Sequence, residues 1–282
     1  WLLDDRITLT KNPRYWDVDA VALRTIDVMP VSDSNTALNY FLTGQVDLMM
    51  DKGTVPMSLV PKLKQKPWFH TGPFLGTWFI RFNVTKPPFN DARVRHALSL
   101  AIDKKRITEK ITQRVEIPAF SLVPPGAGAD SQPLRGDEFN PEKARALLAE
   151  AGFPGGKGFP LIEYLHIPPL VERSIAVELQ AMWEKNLGIK VGLAKQEQKI
   201  WLSSMRELSY QFTRSSWVGD YNDPNTFLEM FTSPSGNTRT GWKSADYDRM
   251  IAEASREPDV AKRNEIFHRA ENQGGLRLPH LD

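Results

Sequence analysis

An α/β protein in two parts is what the sequence predicts, and three observations carry the prediction. Strand-like and helix-like segments interleave along most of the 282 residues, which favours sheets packed against helices over an all-β architecture. That length exceeds what one simple core usually organises, so two lobes, or one large α/β unit with appendages, are expected. No internal repeat and no low-complexity tract breaks the alternation.

The elements follow in order. The chain opens at Trp1 inside what reads as a strand, so a signal peptide, if one exists, lies outside it. RTIDVMPV (24–31) alternates like a strand. SNTALNYFLTG (34–44) begins at a capping Ser34, places Ala37, Leu38, Phe41 and Leu42 on one face and stops at Gly44. The apolar VDLMM after it looks like the next strand of a strand-helix-strand unit. GTWFIRFNV (76–84) is a long β-type run, and KPPFND breaks the pattern before a helix with Val94, Ala97, Leu98 and Ala101 inward. The division between parts is placed at this strand, giving 1–75 and 76–282.

The second part repeats that grammar. FNPEKARALLAEAG has Asn140 as cap, Pro141 at the first helical position, Leu147 and Leu148 inward and Gly152 as stop. LIEYLHI (161–167) reads as a strand, 171–187 as a helix ended by Gly188, IKVGLA (189–194) as a strand and 199–206 as a short helix leading into the strand SYQFTRSSW. Helices near 245–255 and 260–272 complete the pattern, and the tail GGLRLPHLD fits no element.

Composition excludes several classes. With 36 basic against 34 acidic side chains and no long run of either sign, neither a nucleic-acid nor a membrane-surface partner is indicated; KLKQK (62–66) reads as a solvated helix face. The absence of cysteine rules out disulfides, thiolate metal sites and cysteine nucleophiles, and is compatible with an oxidising compartment. No apolar stretch approaches the ~18 residues of a membrane span.

Catalytic and metal readings fail on spacing. GFPGGKG (152–158) has three residues rather than four between its first glycine and the Gly-Lys pair, and a glycine where a phosphate loop needs Ser or Thr; it reads as a helix exit and turn. The histidines at 70, 96, 166, 268 and 280 show no ligand spacing. There is no G-x-S-x-G elbow, and Ser215-Ser216 has no histidine nearby in sequence. No metal and no cofactor are expected.

The stretch SSWVGDYNDPNTFLEMF (215–231) raises the sharper question, since it holds two acids. Asp223 reads as architecture: it precedes Pro224 at the start of a helix whose Phe227, Leu228 and Phe231 form an apolar face. Asp220 stands at the end of a strand, where side chains of α/β folds face a ligand crevice. The residues alone leave a surface turn and a ligand group equally open for it.

Taken together, NPRYWD (12–17), LNYFLTGQVDLM (38–49), PPFNDARVRHALSLAIDKKRI (87–107), FNPEKARALLAEAGF (139–153), MWEKNLGIKV (182–191) and FTRSSWVGDYNDPNTFLEMF (212–231) resemble, in order, segments of the oligopeptide-binding proteins of bacterial ABC importers, extracytoplasmic solute-binding family 5. The resemblance implies an α/β fold of the periplasmic-binding-protein type II, a mixed sheet flanked by helices, in an incomplete bilobal protein with part of lobe one in 1–75 and lobe two in 76–282. It implies a peptide binder, not an enzyme, that delivers oligopeptides to a membrane permease as a monomer. Location would be periplasmic or extracytoplasmic, with any membrane-anchoring N-terminal segment outside this chain. Asp220 matches the acid that takes the peptide α-ammonium, with Trp217 and Tyr221 expected to enclose it, and Arg214 matches a basic residue that meets the carboxylate end of short peptides. Gln198 stands where the best-known peptide binders have a pocket tryptophan, and Met205 where they have an arginine. The runners-up are another solute on the same fold (a dipeptide, a murein peptide or an oligosaccharide) and, from another class, a hydrolase using Asp220 or Asp223.

Overall fold

The computed structural model describes residues 5–50, 52–72, 74–113, 116–128, 136, 138–168 and 170–272. The opening residues of the predicted first strand, the tail 274–282 and His280 lie outside them. The chain forms two compact units, Trp1–His70 and Thr71–Asp282.

In the first unit β1 (Ile7–Thr10) and β2 (Thr25–Val28) form an antiparallel ribbon with Ile7 opposite Val28. Helix α1 (Ser34–Leu42) is capped one residue earlier than expected: the Asp33 carboxylate, not the Ser34 hydroxyl, accepts from the Thr36 amide at 2.8 Å. Gly44, at φ +72°, ends its last turn. Residues 46–50 are not the strand that their apolar character suggests. Leu48 and Met50 are 68% and 88% exposed, and no described strand of this unit lies alongside to pair with them. Beyond α2 (Val60–Leu63), Lys64 and Lys66 are exposed while Leu63 is buried. The buried apolar set of this unit is small: Ala37, Leu38, Val60 and Leu63, with Phe41 against Trp68 at 5.1 Å between ring centroids.

The second unit runs β3 (Gly76–Phe82), α3 (Ala92–Leu100), α4 (Lys104–Arg106) continued by a π-helical turn (Ile107–Thr112), α5 (Pro141–Glu150), β4 (Ile162–His166), α6 (Leu170–Leu187), β5 (Val191–Lys195), α7 (Gln198–Arg206), β6 (Phe212–Val218), α8 (Asn225–Leu228), α9 (Ala245–Ala254) and α10 (Val260–Glu271). Local chemistry sets these limits. Asn140 accepts from the Lys143 amide at 2.9 Å with Pro141 in the first turn. Gly188, at φ +71°, ends α6, and a Cβ at Gly156 would stand 2.5 Å from its carbonyl oxygen. The glycine-rich turn at 152–158 is therefore a close backbone approach to the end of α6.

The sheet has the order β3-β6-β4-β5, with β3 antiparallel to β6 and β4 parallel to both β5 and β6. Alternation along β6 sends Phe212 to one face, where it meets Phe82 at 5.8 Å, Tyr164 at 5.3 Å and Trp183 of α6 at 5.4 Å. The Trp183 indole N–H, buried there, donates to the Leu98 carbonyl of α3 at 2.9 Å. On the other face Phe79 meets Phe231 at 6.2 Å, and Trp201 of α7 donates to the Thr213 hydroxyl at 2.8 Å. One apolar core joins both faces, and each fully buried large apolar side chain in it contributes roughly 1.5–3 kcal/mol.

Candidate ligand-binding site

Because β4, β5 and β6 are parallel, their C-terminal ends share one rim of the second unit, the place where α/β sheets carry ligands. Strand β6 outruns its neighbour. It pairs with β4 only through Tyr164↔Phe212 and Leu165↔Thr213, whereas the ladder with β3 continues to Gly76↔Val218. Among the described residues, one edge of β6 from Ser215 to Val218 has no strand beside it.

The loop after β6 is held from several sides. The Gly219 amide donates to the Leu75 carbonyl at 2.9 Å. The fully buried Thr226 hydroxyl accepts from the Asp220 amide at 3.1 Å and from the Trp217 indole at 3.4 Å. Asn222 accepts from the Gly128 amide at 2.9 Å. Asp223 accepts from the Asn225 amide at 2.8 Å and receives both guanidinium nitrogens of Arg263, at 2.6 and 2.8 Å. That ion pair holds the Arg263 guanidinium above its ordinary range, the hydrogen bond to Asp223 being the main cause.

Asp220 contrasts with Asp223. Its backbone is fixed by Thr226, its side chain is exposed, and among the described residues its carboxylate has no hydrogen-bond or ion-pair partner. The expected enclosure by two rings is not found. Tyr221 is half-exposed, with its hydroxyl accepting from Asn225 Nδ2 at 2.9 Å and donating to Glu229 Oε1 at 3.1 Å; partial burial pushes its phenol upward. Trp217 is half-buried and turned toward Thr226. The short helix explains the difference: Asn225 and Glu229 offer Tyr221 polar partners that Asp220 does not.

Arg214 lies apart from Trp217, since residues three apart on a strand point to opposite faces. It is buried, its guanidinium 5.8 Å from the centre of the Trp78 ring, and it is ion-paired to Glu172 in the first turn of α6. The role of Glu172 is not legible in the sequence because the pair spans 42 positions, and an acid in the first turn of a helix reads as dipole compensation. Met205 is buried with Leu165 and Tyr210 as a core residue, and Gln198 is exposed at the start of α7.

A mixed sheet flanked by helices on both faces, with its parallel strands ending at such a rim, is the type II fold of the periplasmic binding proteins. The model of the bacterial extracellular solute-binding proteins, family 5 (middle), matches residues 1–239, and the chain belongs to that family. It is 34% identical over 283 residues to the periplasmic oligopeptide-binding protein of Salmonella typhimurium, covering 97% of this chain and 51% of that protein. It is 32% identical over 283 residues to the oligopeptide-binding protein of Bacillus subtilis, covering 96% and 51%. Among solved structures, a periplasmic oligopeptide-binding protein of Borrelia burgdorferi superposes with a TM-score of 0.84 at 31% identity, covering 100% of this chain and 56% of that one. The chain thus spans about half the length of the relatives it matches.

Proposed function

We propose that the chain belongs to the solute-binding component of an ABC importer, that it captures oligopeptides outside the cytoplasmic membrane for a permease, and that Asp220 takes the peptide α-ammonium. In this reading 1–75 is part of lobe one, 76–282 is lobe two, and the binding protein acts as a monomer.

The observation that carries it is the division of labour between two acids. Asp223 is occupied by Arg263 and a backbone amide, whereas Asp220 presents a carboxylate on a backbone anchored to the buried Thr226. An anchored anion awaiting a cation suits a free amino terminus, because a charge-assisted hydrogen bond gains strength once the ligand excludes water. The half-exposed Tyr221, next to Asp220 in the chain, supplies apolar surface to the first residue of the ligand. The edge of β6 from Ser215 to Val218, which has no strand beside it, offers backbone N–H and C=O groups to an extended peptide, which gives affinity indifferent to side-chain identity. Water in the remaining space adapts to differing side chains. The names of the relatives, which bind oligopeptides, support the same ligand class.

Calorimetry on the native gene product, with one tripeptide in free and N-acetylated forms, tests the reading. Binding of the free form alone is expected, and equal affinity for both would sink the role of Asp220. Failure of both, with uptake of another solute, would favour a different ligand on the same fold. Recovery of cleaved peptide would favour the hydrolase.

A further inference from the structure

Resting on the reading that a peptide amino terminus sits at Asp220, a second feature of the rim bears on what the other end of the ligand meets. Arg214 precedes Asp220 by six residues, a stretch that spans at most about 20 Å of extended chain. A short peptide lying along the open edge of β6 therefore brings its carboxyl end toward this arginine. That guanidinium, however, is buried beneath Trp78 and held by the Glu172 carboxylate. Glu172 comes from the first turn of the 18-residue α6, so its placement is set by a helix packed on the sheet rather than by a loop. The side chains are 8% and 17% exposed.

We propose that Glu172 is a specificity-determining residue: by neutralising Arg214 it removes the cation that would otherwise fix a ligand's C-terminal carboxylate. A ligand carboxylate arriving there meets a second carboxylate already bound to the same guanidinium, and either displaces it or stands beside a like charge. Affinity then depends on the amino end and the strand contacts, and the chain length at which a carboxylate would reach Arg214 confers no advantage.

The test compares tri-, tetra- and pentaalanine as free acids and as C-terminal amides, all with free amino termini, by calorimetry on the native gene product, with Glu172→Gln and with Glu172→Gln/Arg214→Met. The wild type is expected to bind acid and amide within about threefold of each other at every length, and Glu172→Gln to prefer the acid by about tenfold or more at one length. The double variant, which carries neither charge, is expected to return to indifference. A wild type that prefers the acid tenfold overturns the proposal, as does a folded Glu172→Gln that binds without preference; if Glu172→Gln does not fold, the wild-type ratio decides alone. Wild-type binding of none of these peptides overturns the Asp220 reading and this proposal with it, an outcome distinct from binding without the expected ratio.

Discussion

Arg263 closes on both carboxylate oxygens of Asp223, Nη1 to Oδ2 at 2.6 Å and Nη2 to Oδ1 at 2.8 Å. The same guanidinium donates from Nε to the Ala254 carbonyl at 3.2 Å and lies 4.7 Å from the Phe267 ring centre. One side chain thus ties the start of α8 to the end of α9 and to α10, and the loop carrying Asp220 leads into that start.

Removing this arginine should loosen the loop. Arg263→Met leaves Asp223 half-buried without its cation, and the expected loss is about 1–3 kcal/mol. Urea unfolding reads the loss, and hydrogen exchange at residues 219–226 reads where it falls. Unchanged exchange there would show that the Thr226 and Leu75 bonds hold the loop without Arg263.

Asp220 should behave in the opposite way. Its side chain supports nothing in the fold, so Asp220→Asn should move unfolding stability by no more than about 0.5 kcal/mol. Peptide binding by the native gene product should fall by about 2–5 kcal/mol, the range for removing one partner of a charge pair that the ligand buries. A variant that destabilises the fold while binding normally would reverse the assignment.

Glu271 gives the fold a pH dependence. Burial pushes its carboxyl up to about 7, against the pull of the Val123 and Leu122 amides that donate to it. A carboxyl raised in the folded state binds more protons there than in the unfolded chain between about pH 4.5 and 7. Its contribution is therefore fully present at acid pH and is lost as pH rises through that window, by up to about 3 kcal/mol. Glu271→Gln keeps an oxygen for both amides and cannot ionise. The variant should gain on the wild type from pH 5 to pH 8 in thermal unfolding, and a constant difference across that range would contradict the expectation.

How much of this the sequence carried depends on how local the physics is. In α5 the cap Asn140, the first-turn Pro141 and the stop at Gly152 are near neighbours, and in β3 the apolar run itself marks the strand. At 46–50 an apolar run misleads, because the residues cannot say whether a partner strand is present. The separation of Asp223 from Asp220 is legible because Pro224 and the apolar face that follows mark a helix start. Arg263 and Glu172 are not, since each acts through an ion pair 40 or 42 positions distant. The alternation that sends Arg214 and Trp217 to opposite faces was available from the strand assignment.

The two units should differ in protection from exchange. In residues 5–70 the ribbon β1–β2 is largely exposed, two paired strands are marginal on their own, and few apolar side chains are buried. In residues 76–272 one large core holds most of the buried apolar side chains. Amides of β1 and β2 should therefore exchange within seconds to minutes while those of β3, β4 and β6 persist, as stability tracks local buried contacts. Equal protection would mean that the ribbon is stabilised by contacts outside its own unit.

The chain as it stands should bind peptides too weakly to matter at micromolar concentration. Micromolar affinity needs about 8 kcal/mol. On this surface the exposed Asp220 gives a cation only ~0–1 kcal/mol. The open edge of β6 adds a few backbone hydrogen bonds of roughly 0.5–1.5 kcal/mol each, while association costs an estimated 4–15 kcal/mol in lost freedom. The balance is near zero or unfavourable, and only burial of the ligand by further protein surface makes it strongly favourable. Titrating the chain with a mixed library of di- to pentapeptides should give no measurable heat at micromolar protein. Micromolar or tighter binding would show that Asp220 and one strand edge suffice, and that enclosure contributes little to the affinity.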